Sequence, residues 1–228
     1  MAANGPGTVA AILVAAGSGE RLGAGGPKAF CVVRGRTLLE HASSRFAGHP
    51  AVSSVVVVAP ASHLDEAAAL TRSTGATVVA GGATRQASVW AGLGAVGDDV
   101  DLVLVHDVAR PFVPAAVIEG VIAALELGAE AAVPVVPIHD TVRRVDSDGA
   151  FAEVLDRSSL LGMQTPQGFV RTVLVRAHEL GRELDLTDDA ALVEAIGVRV
   201  HAVPGSDQSF KITRPWDLAV AEAVADLD

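Results

Sequence analysis

The chain has 228 residues, 50% of them hydrophobic and 19% charged, with a formal net charge of -10. That length suits one core of parallel-sheet size, and no uncharged apolar run approaches the ~20 residues of a membrane span. The acidic balance argues against a general nucleic-acid binder, which carries a basic face, and the single cysteine, Cys31, excludes an internal disulfide and reads as buried packing.

In chain order, the opening MAANGPGTVAAILVAAG has no basic leader before its apolar segment, so Ala10 to Val14 reads as a first buried strand rather than an export signal. A cytoplasmic location is expected. The strand runs into GSGERLGAGGPK, a loop whose glycines let a ligand lie against the backbone. It is neither common phosphate loop. A dinucleotide fingerprint needs glycine where Leu22 stands, and a P-loop needs glycine before the lysine and Ser or Thr after it, where this chain has Pro27 and Ala29. Helical patterns follow at about Thr37 to Phe46, His63 to Thr71, Arg85 to Leu93, Pro114 to Leu127, Val170 to Leu180, Asp188 to Ile196 and Pro215 to Asp226. Between them, Val55 to Ala59, Thr77 to Ala80, Leu102 to Val105, Ala131 to Val136 and Val198 to Val203 read as strands. Apolar residues at every position of Val55 to Val58 indicate burial on both faces, as in a parallel sheet between helices.

This alternation predicts one α/β domain, Rossmann-like, with a mostly parallel sheet flanked by helices on both faces. Ligands of such folds bind beyond the carboxyl ends of the strands, so GSGERLGAGGPK, GGATRQAS and HDVARP should meet at one crevice. Residues 138 to 160, IHDTVRRVDSDGAFAEVLDRSSL, break the pattern: they read as a two-stranded arm turning at SDG, too thin for a core of its own and needing another surface to pack on.

Asp107, directly after LVLVH, is placed either to hold Mg²⁺ on a ligand's phosphates or to cap the next helix. His106 beside it reads as a structural strand residue. None of the seven histidines has metal-ligand spacing with another or with Cys31, so no structural zinc is implied. Ser18 lacks the preceding glycine of a nucleophile elbow. LGMQTPQGF and LTDDAA, taken alone, are a turn and a helix cap. Of the 17 basic residues only Lys28 and Lys211 are lysine; in so arginine-biased a chain each marks either chance or a place that needs a compact ammonium.

Taken together the motifs resemble a known family. LVAAGSGERLGAGGPK is similar to the signature of nucleotidylyltransferases that attach a nucleoside monophosphate to a phosphorylated sugar or polyol. GGATRQAS, HDVARP, PIHDTVRR, VLDR, QTPQGF, LTDDAA and FKITRPWDL then follow in the order of the 2-C-methyl-D-erythritol 4-phosphate cytidylyltransferases of the non-mevalonate isoprenoid pathway. The resemblance covers nearly the whole chain. It implies a homodimeric enzyme that transfers CMP from CTP to methylerythritol phosphate with Mg²⁺, with no nucleic acid or membrane partner.

By the same resemblance Ala15, Ala16, Gly17 and Gly19 wrap the nucleotide, Arg21 and Lys28 contact its phosphates, and Gly82, Ala83 and Ser88 recognise cytosine largely through backbone groups. Asp107 matches the metal position. Arg110, Thr141, Arg157, Thr165, Thr187 and Lys211 match positions around the methylerythritol phosphate or the reacting centre, with Thr141 and Arg157 reaching into the neighbouring subunit's site from the arm. Arg21, Lys28, Lys211 and Arg157 are the expected catalytic set. Ala83 stands where relatives commonly have an acidic residue, and Ala29 where glutamine is frequent. Two rival readings are a cytidylyltransferase for ribitol 5-phosphate or another polyol phosphate, and a non-catalytic nucleotide-binding module.

Overall fold

The computed structural model describes residues 7–17, 26–182, 184 and 186–225. Most of the first glycine-rich loop, with Ser18, Gly19 and Arg21, lies outside them.

Strand β1 (Val9–Val14) is the centre of a sheet that has eight strands among the described residues. Successive side chains of a strand point to opposite faces, and both faces of β1 are apolar. Val9, Ala11 and Leu13 enter one core cluster while Ala10 and Ile12 enter another. A short hairpin, β2 (Val32–Val33) and β3 (Arg36–Thr37), precedes α1 (Leu38–Ala47). The helix starts at Thr37 because of a capping box: the Glu40 amide donates to Thr37 Oγ1 (3.2 Å) and the Thr37 amide to Glu40 Oε2 (2.7 Å). Next come β4 (Val52–Ala59), α2 (Leu64–Leu70), β5 (Thr77–Ala80), α3 (Arg85–Leu93), β6 (Leu102–Asp107), α4 (Ala115–Glu126) and β7 (Ala131–Pro137). The parallel neighbours β4 and β6 flank β1, and β5 lies outside β4.

The chain therefore leaves β1 toward β4 and β5 and later returns to the other side of β1 with β6. Such a reversal leaves a crevice at the carboxyl ends of β1 and β6, where open α/β sheets bind ligands.

The second half departs from the expected alternation. After the arm strands β8 (Arg143–Val145) and β9 (Phe151–Val154) come β10 (Leu161–Met163) and β11 (Gln167–Val170), then α5 (Arg171–Leu180), α6 (Asp189–Ala195), β12 (Val200–Pro204) and α7 (Pro215–Val224). QTPQGF, expected as a turn, supplies β11, which lies between β6 and β7 and runs antiparallel to both. β12 continues the parallel pattern beside β7. It begins at Val200 rather than Val198, because the Val198 amide still closes α6 on the Val193 carbonyl. Packing explains the antiparallel insertion. At Gly168 a Cβ would run into the side chain of Val121 and approach Leu125 and Leu104, so this strand lets α4 sit close on the sheet.

Helices cover both faces. Leu38, Leu39, Phe46, Ile118 and Val121 belong to one core cluster, and Val89, Leu93, Leu174, Leu192 and Val193 to the other. Cys31 is half-buried rather than buried, and desolvation pushes its thiol pKa up, leaving a weakly reactive thiol. Among the described residues, β8 and β9 pair only with each other, and Val145, Phe151 and Val154 on them are exposed.

Candidate active site

A cavity of about 600 Å³ opens at the β1/β6 reversal, lined by Val14 to Gly17, Lys28, Ala29, Gly82 to Arg85, Ser88, Asp107 to Ala109 and Lys211. The described parts of the three loops expected to meet do meet here. Their approach is close: a Cβ on Gly81 would lie 2.6 Å from the Ala16 Cβ, so a side chain at 81 would push the second loop off the first. Gly17 has open space where a Cβ would stand.

The loop around Gly82 is braced from within. Ser88 Oγ accepts from the Gly82 amide (3.1 Å) and donates to the Thr84 carbonyl (2.9 Å), while Thr84 caps α3 through the Ala87 amide (3.0 Å). Ser88 is buried and its hydroxyl is committed. It shapes the loop, in which Gly82 and Ala83 line the cavity.

Lys28 sits in a single helical turn, and its Nζ donates to the Ile212 carbonyl at 2.7 Å. That contact ties the first loop to the last. Lys211 reaches the site because the segment carrying it docks on the end of β6: the Ile212 amide bonds the Ala109 carbonyl (2.8 Å), and Arg110 donates to the carbonyls of Ser209 (2.7 Å) and Met163 (3.2 Å). Arg110 thus links three segments but does not line the cavity.

Among the described residues, Asp107 is the only carboxylate lining this cavity. It does not cap a helix, since α4 starts later with Pro114 at its N-cap. Its Oδ2 accepts from Lys211 Nζ at 2.7 Å and its Oδ1 faces Arg85 Nε at 3.5 Å. Burial alone would raise its pKa, but Arg85, Lys211 and Arg110 outweigh that and hold it well below the usual carboxylate range. It is an ionised ligand group at any physiological pH.

His106 is fully buried, and desolvation lowers its pKa to about 4, so the imidazole is neutral. Its Nε2–H donates to the Arg110 carbonyl (3.1 Å), and its Nδ1 accepts from Thr165 Oγ1 (3.0 Å), which in turn accepts from the Asp107 amide (3.1 Å). His106 is the structural residue expected, and the hydroxyl of Thr165, itself buried, is spent on fixing the end of β6.

Besides Arg110 and Thr165, three further expected site residues stand away from the cavity wall. Thr141 and Arg157 are exposed on the arm, where Arg157 donates to the His139 carbonyl of its own chain. Thr187 is exposed in the bend before α6, next to Asp188, whose carboxylate caps that helix through the Ala191 amide (2.9 Å). Sequence reading missed Arg85, Asp189 and His178. Arg85 lines the cavity and its Nη1 lies 2.5 Å from Oδ2 of Asp189, a residue 1% exposed whose other oxygen accepts from His178 Nε2–H at 3.0 Å. The signal available was the arginine in GGATRQAS and the second aspartate of LTDDAA, which carry no pairing information by themselves. The pairs of glutamine contacts were equally hidden: Gln164 holds Ser206 by both ends of its amide, and Gln167 holds Asp188 and the Ala190 amide.

A backbone cradle beside two lysines and an ionised aspartate, at the reversal of a doubly wound sheet, defines an α/β nucleotide-binding protein with the charges of a phosphoryl-transfer site. The sequence pattern of the family described as IspD, 2-C-methyl-D-erythritol 4-phosphate cytidylyltransferase, matches residues 9–226. The protein of that name from Streptomyces avermitilis is 47% identical over 227 residues, covering 94% of this chain and 90% of that one. Its counterpart from Rhodococcus opacus is 44% identical and covers 98% of each. The crystal structure of the Thermus thermophilus 2-C-methyl-D-erythritol 4-phosphate cytidylyltransferase, 40% identical, superposes with a TM-score of 0.81 over 95% of this chain and 98% of that one. The chain belongs to the IspD family of cytidylyltransferases.

Proposed function

We propose that the chain transfers the cytidylyl group of CTP to 2-C-methyl-D-erythritol 4-phosphate, giving 4-diphosphocytidyl-2-C-methyl-D-erythritol and pyrophosphate. The observation that carries the reading is the gathering of both scarce lysines and ionised Asp107 in the one cavity where three loops converge. An oxygen of the acceptor phosphate attacks the α-phosphorus of CTP, the bond between that phosphorus and the α,β-bridging oxygen breaks, and pyrophosphate leaves. Attack and departure in line need little covalent help, so positioning and charge stabilisation supply the catalysis.

Backbone groups of Ala15, Ala16 and Gly17 lie against the nucleotide, and those of Gly82 and Ala83 read the base. Lys28 neutralises charge growing on the α-phosphoryl oxygens and the leaving group; Arg21, in the loop outside the described residues, shares that role, and Gly19 completes the cradle. Lys211 holds the attacking phosphate against the repulsion of two anions. Mg²⁺ fits the donor set on one count: a carboxylate kept ionised on the cavity wall is what an ion using one or two carboxylates plus phosphate oxygens and waters requires. Asp107 is the residue that would hold it, and the ion would supply charge stabilisation on the triphosphate. Arg110 and Thr165 act by fixing the acceptor side of the site, and Thr187, exposed before α6, is assigned to that side by its match to the family motif alone.

The arm supports a homodimer. Val145, Phe151 and Val154 on it, with Leu161 and Met163 beyond it, are exposed apolar residues on and beside a two-stranded element that does not stand alone in water. Thr141 and Arg157 then serve the partner's site. A cytoplasmic setting suits the reading, and among the described residues no helix is long and apolar enough to cross a membrane. Pyrophosphate release from CTP with a panel of polyol phosphates is the test. Turnover with methylerythritol phosphate well above that with ribitol 5-phosphate supports the reading. Preference for another polyol phosphate, or CTP binding without turnover, overturns it.

A further inference from the structure

Lys211 is paired at 2.7 Å with Asp107, a side chain only 13% exposed. To hold an incoming phosphate the ammonium must leave that carboxylate, and a carboxylate stripped of its contact partner in such a place is strongly unfavourable. A second cation already stands at the other oxygen. Arg85 is the first residue of α3, with Nε 3.5 Å from Asp107 Oδ1 and Nη1 on Asp189.

The far end of that guanidinium is fixed by groups that do not line the cavity. Asp189 is 1% exposed, with its second oxygen on His178, and the His178 ring stacks on Trp90 of α3 at 5.9 Å between centroids. One residue along, Gln86 donates to the Gly181 carbonyl (2.8 Å), tying the start of α3 to the end of α5. A planar fork carries its donors on separate nitrogens and so reaches two carboxylates that stand apart, while an ammonium presents all its donors from one point.

We infer that Arg85 is a positioning residue: anchored by Asp189 and His178, it keeps Asp107 compensated and oriented, so that Lys211 can exchange Asp107 for the phosphate of the acceptor. The inference rests on the proposed role of Lys211. In this arrangement the Asp107–Lys211 pair belongs to the empty site, and Arg85 keeps the carboxylate paired and oriented as the ammonium leaves, beside the Mg²⁺ that Asp107 would also hold. Asp189, though it does not line the cavity, then affects acceptor use through the rotamer it imposes on Arg85.

The test is steady-state kinetics with 2-C-methyl-D-erythritol 4-phosphate varied at saturating CTP. Arg85→Lys keeps the charge but lacks the separated donors of the fork, and should lower kcat/KM for the acceptor about tenfold or more, as displaced catalytic groups commonly do, with KM for CTP nearly unchanged. Asp189→Asn should act in the same direction. The decisive variant is Arg85→Lys combined with Lys211→Ala, which should be no worse than Lys211→Ala alone, because the two residues act through one carboxylate. Losses that multiply would overturn the inference, as would an Arg85→Lys enzyme that loses CTP affinity and acceptor use equally. If Lys211→Ala leaves acceptor kinetics untouched, the role given to Lys211 falls and the inference falls with it. If Lys211→Ala impairs the acceptor and Arg85→Lys does not, only the inference fails.

Discussion

If the arm completes a partner's site, two inactive variants should restore each other. Lys28 lies on the cavity wall of its own chain, whereas Arg157 stands on the exposed arm outside that wall. A Lys28→Ala chain therefore spoils the cavity it contains, and an Arg157→Ala chain spoils the cavity of its partner. Each homodimer carries one lesion in every site and is nearly inactive. In a mixed dimer the lesions fall in one site together: the Lys28→Ala cavity receives the defective arm, and the other cavity is intact. With random pairing about half the dimers are mixed, each with one working site of two, so co-refolding equal amounts should restore about a quarter of wild-type activity. Pyrophosphate release measures it, and differently tagged chains with mass analysis of the assembly confirm that mixed dimers formed. Were the arm to serve its own subunit, every site would keep one lesion whatever the pairing. Mixed dimers with no recovered activity would refute the shared site.

At the reacting centre, Lys28→Ala should lower kcat by ~10²-fold or more while CTP binding weakens less, and Lys28→Arg should rescue poorly because a guanidinium spreads its charge over a plane; single-turnover kinetics beside CTP titration separate the two quantities. Gly168→Ala places a methyl against Val121 and should cost about 1–3 kcal/mol, read as a Tm fall of roughly 2–4 °C per kcal/mol in a chain of this size. The folded pKa of Asp107 is depressed, so its contribution to stability is present above the ordinary carboxylate value and is lost as pH falls through the depressed one. Denaturant midpoints for the wild type should therefore drop below about pH 4, and Asp107→Asn should show a shallower dependence there, together with lower stability at neutral pH.

Much of the fold is legible in local sequence because a parallel strand buried on both faces has to be apolar along its length. Val55 to Ala59 and Leu102 to Val105 could hardly be anything else. The strand Gln167–Val170 was illegible for the complementary reason. It follows Pro166 and contains Gly168, both turn formers, and what makes it a strand is the space between β6 and β7 under α4. Its glycine is specified by Val121, Leu125 and Leu104, none of them near it in the chain. The start of β12 was misplaced on a smaller scale by the same kind of cause, a helix-ending bond from Val198 to Val193.

The site divides along a similar line. Residues whose backbone bounds the cavity lie directly after strands, so position in the pattern exposes them: Ala15 to Gly17 after β1, Gly82 and Ala83 after β5, Asp107 at the end of β6. Lys28 and Lys211 stood out only through their scarcity. Side-chain pairing leaves no such trace, since Arg85 and Asp189 are 104 positions apart and each has a bland reading of its own. Composition even points the wrong way here. In a chain of net charge -10, Lys28, Arg85, Arg110 and Lys211 are gathered about the cavity and outnumber the carboxylates Asp107 and Asp189, which pair with Arg85 and Lys211. Those carboxylates, with the carbonyls of Ile212, Ser209 and Met163 that hold Lys28 and Arg110, keep the cations ordered before any ligand arrives, and the positive surplus that remains is what a triphosphate and a second phosphate would need to be brought together. The acidic total therefore reports on the rest of the surface, and the chemistry depends on a local balance that only the folded chain creates.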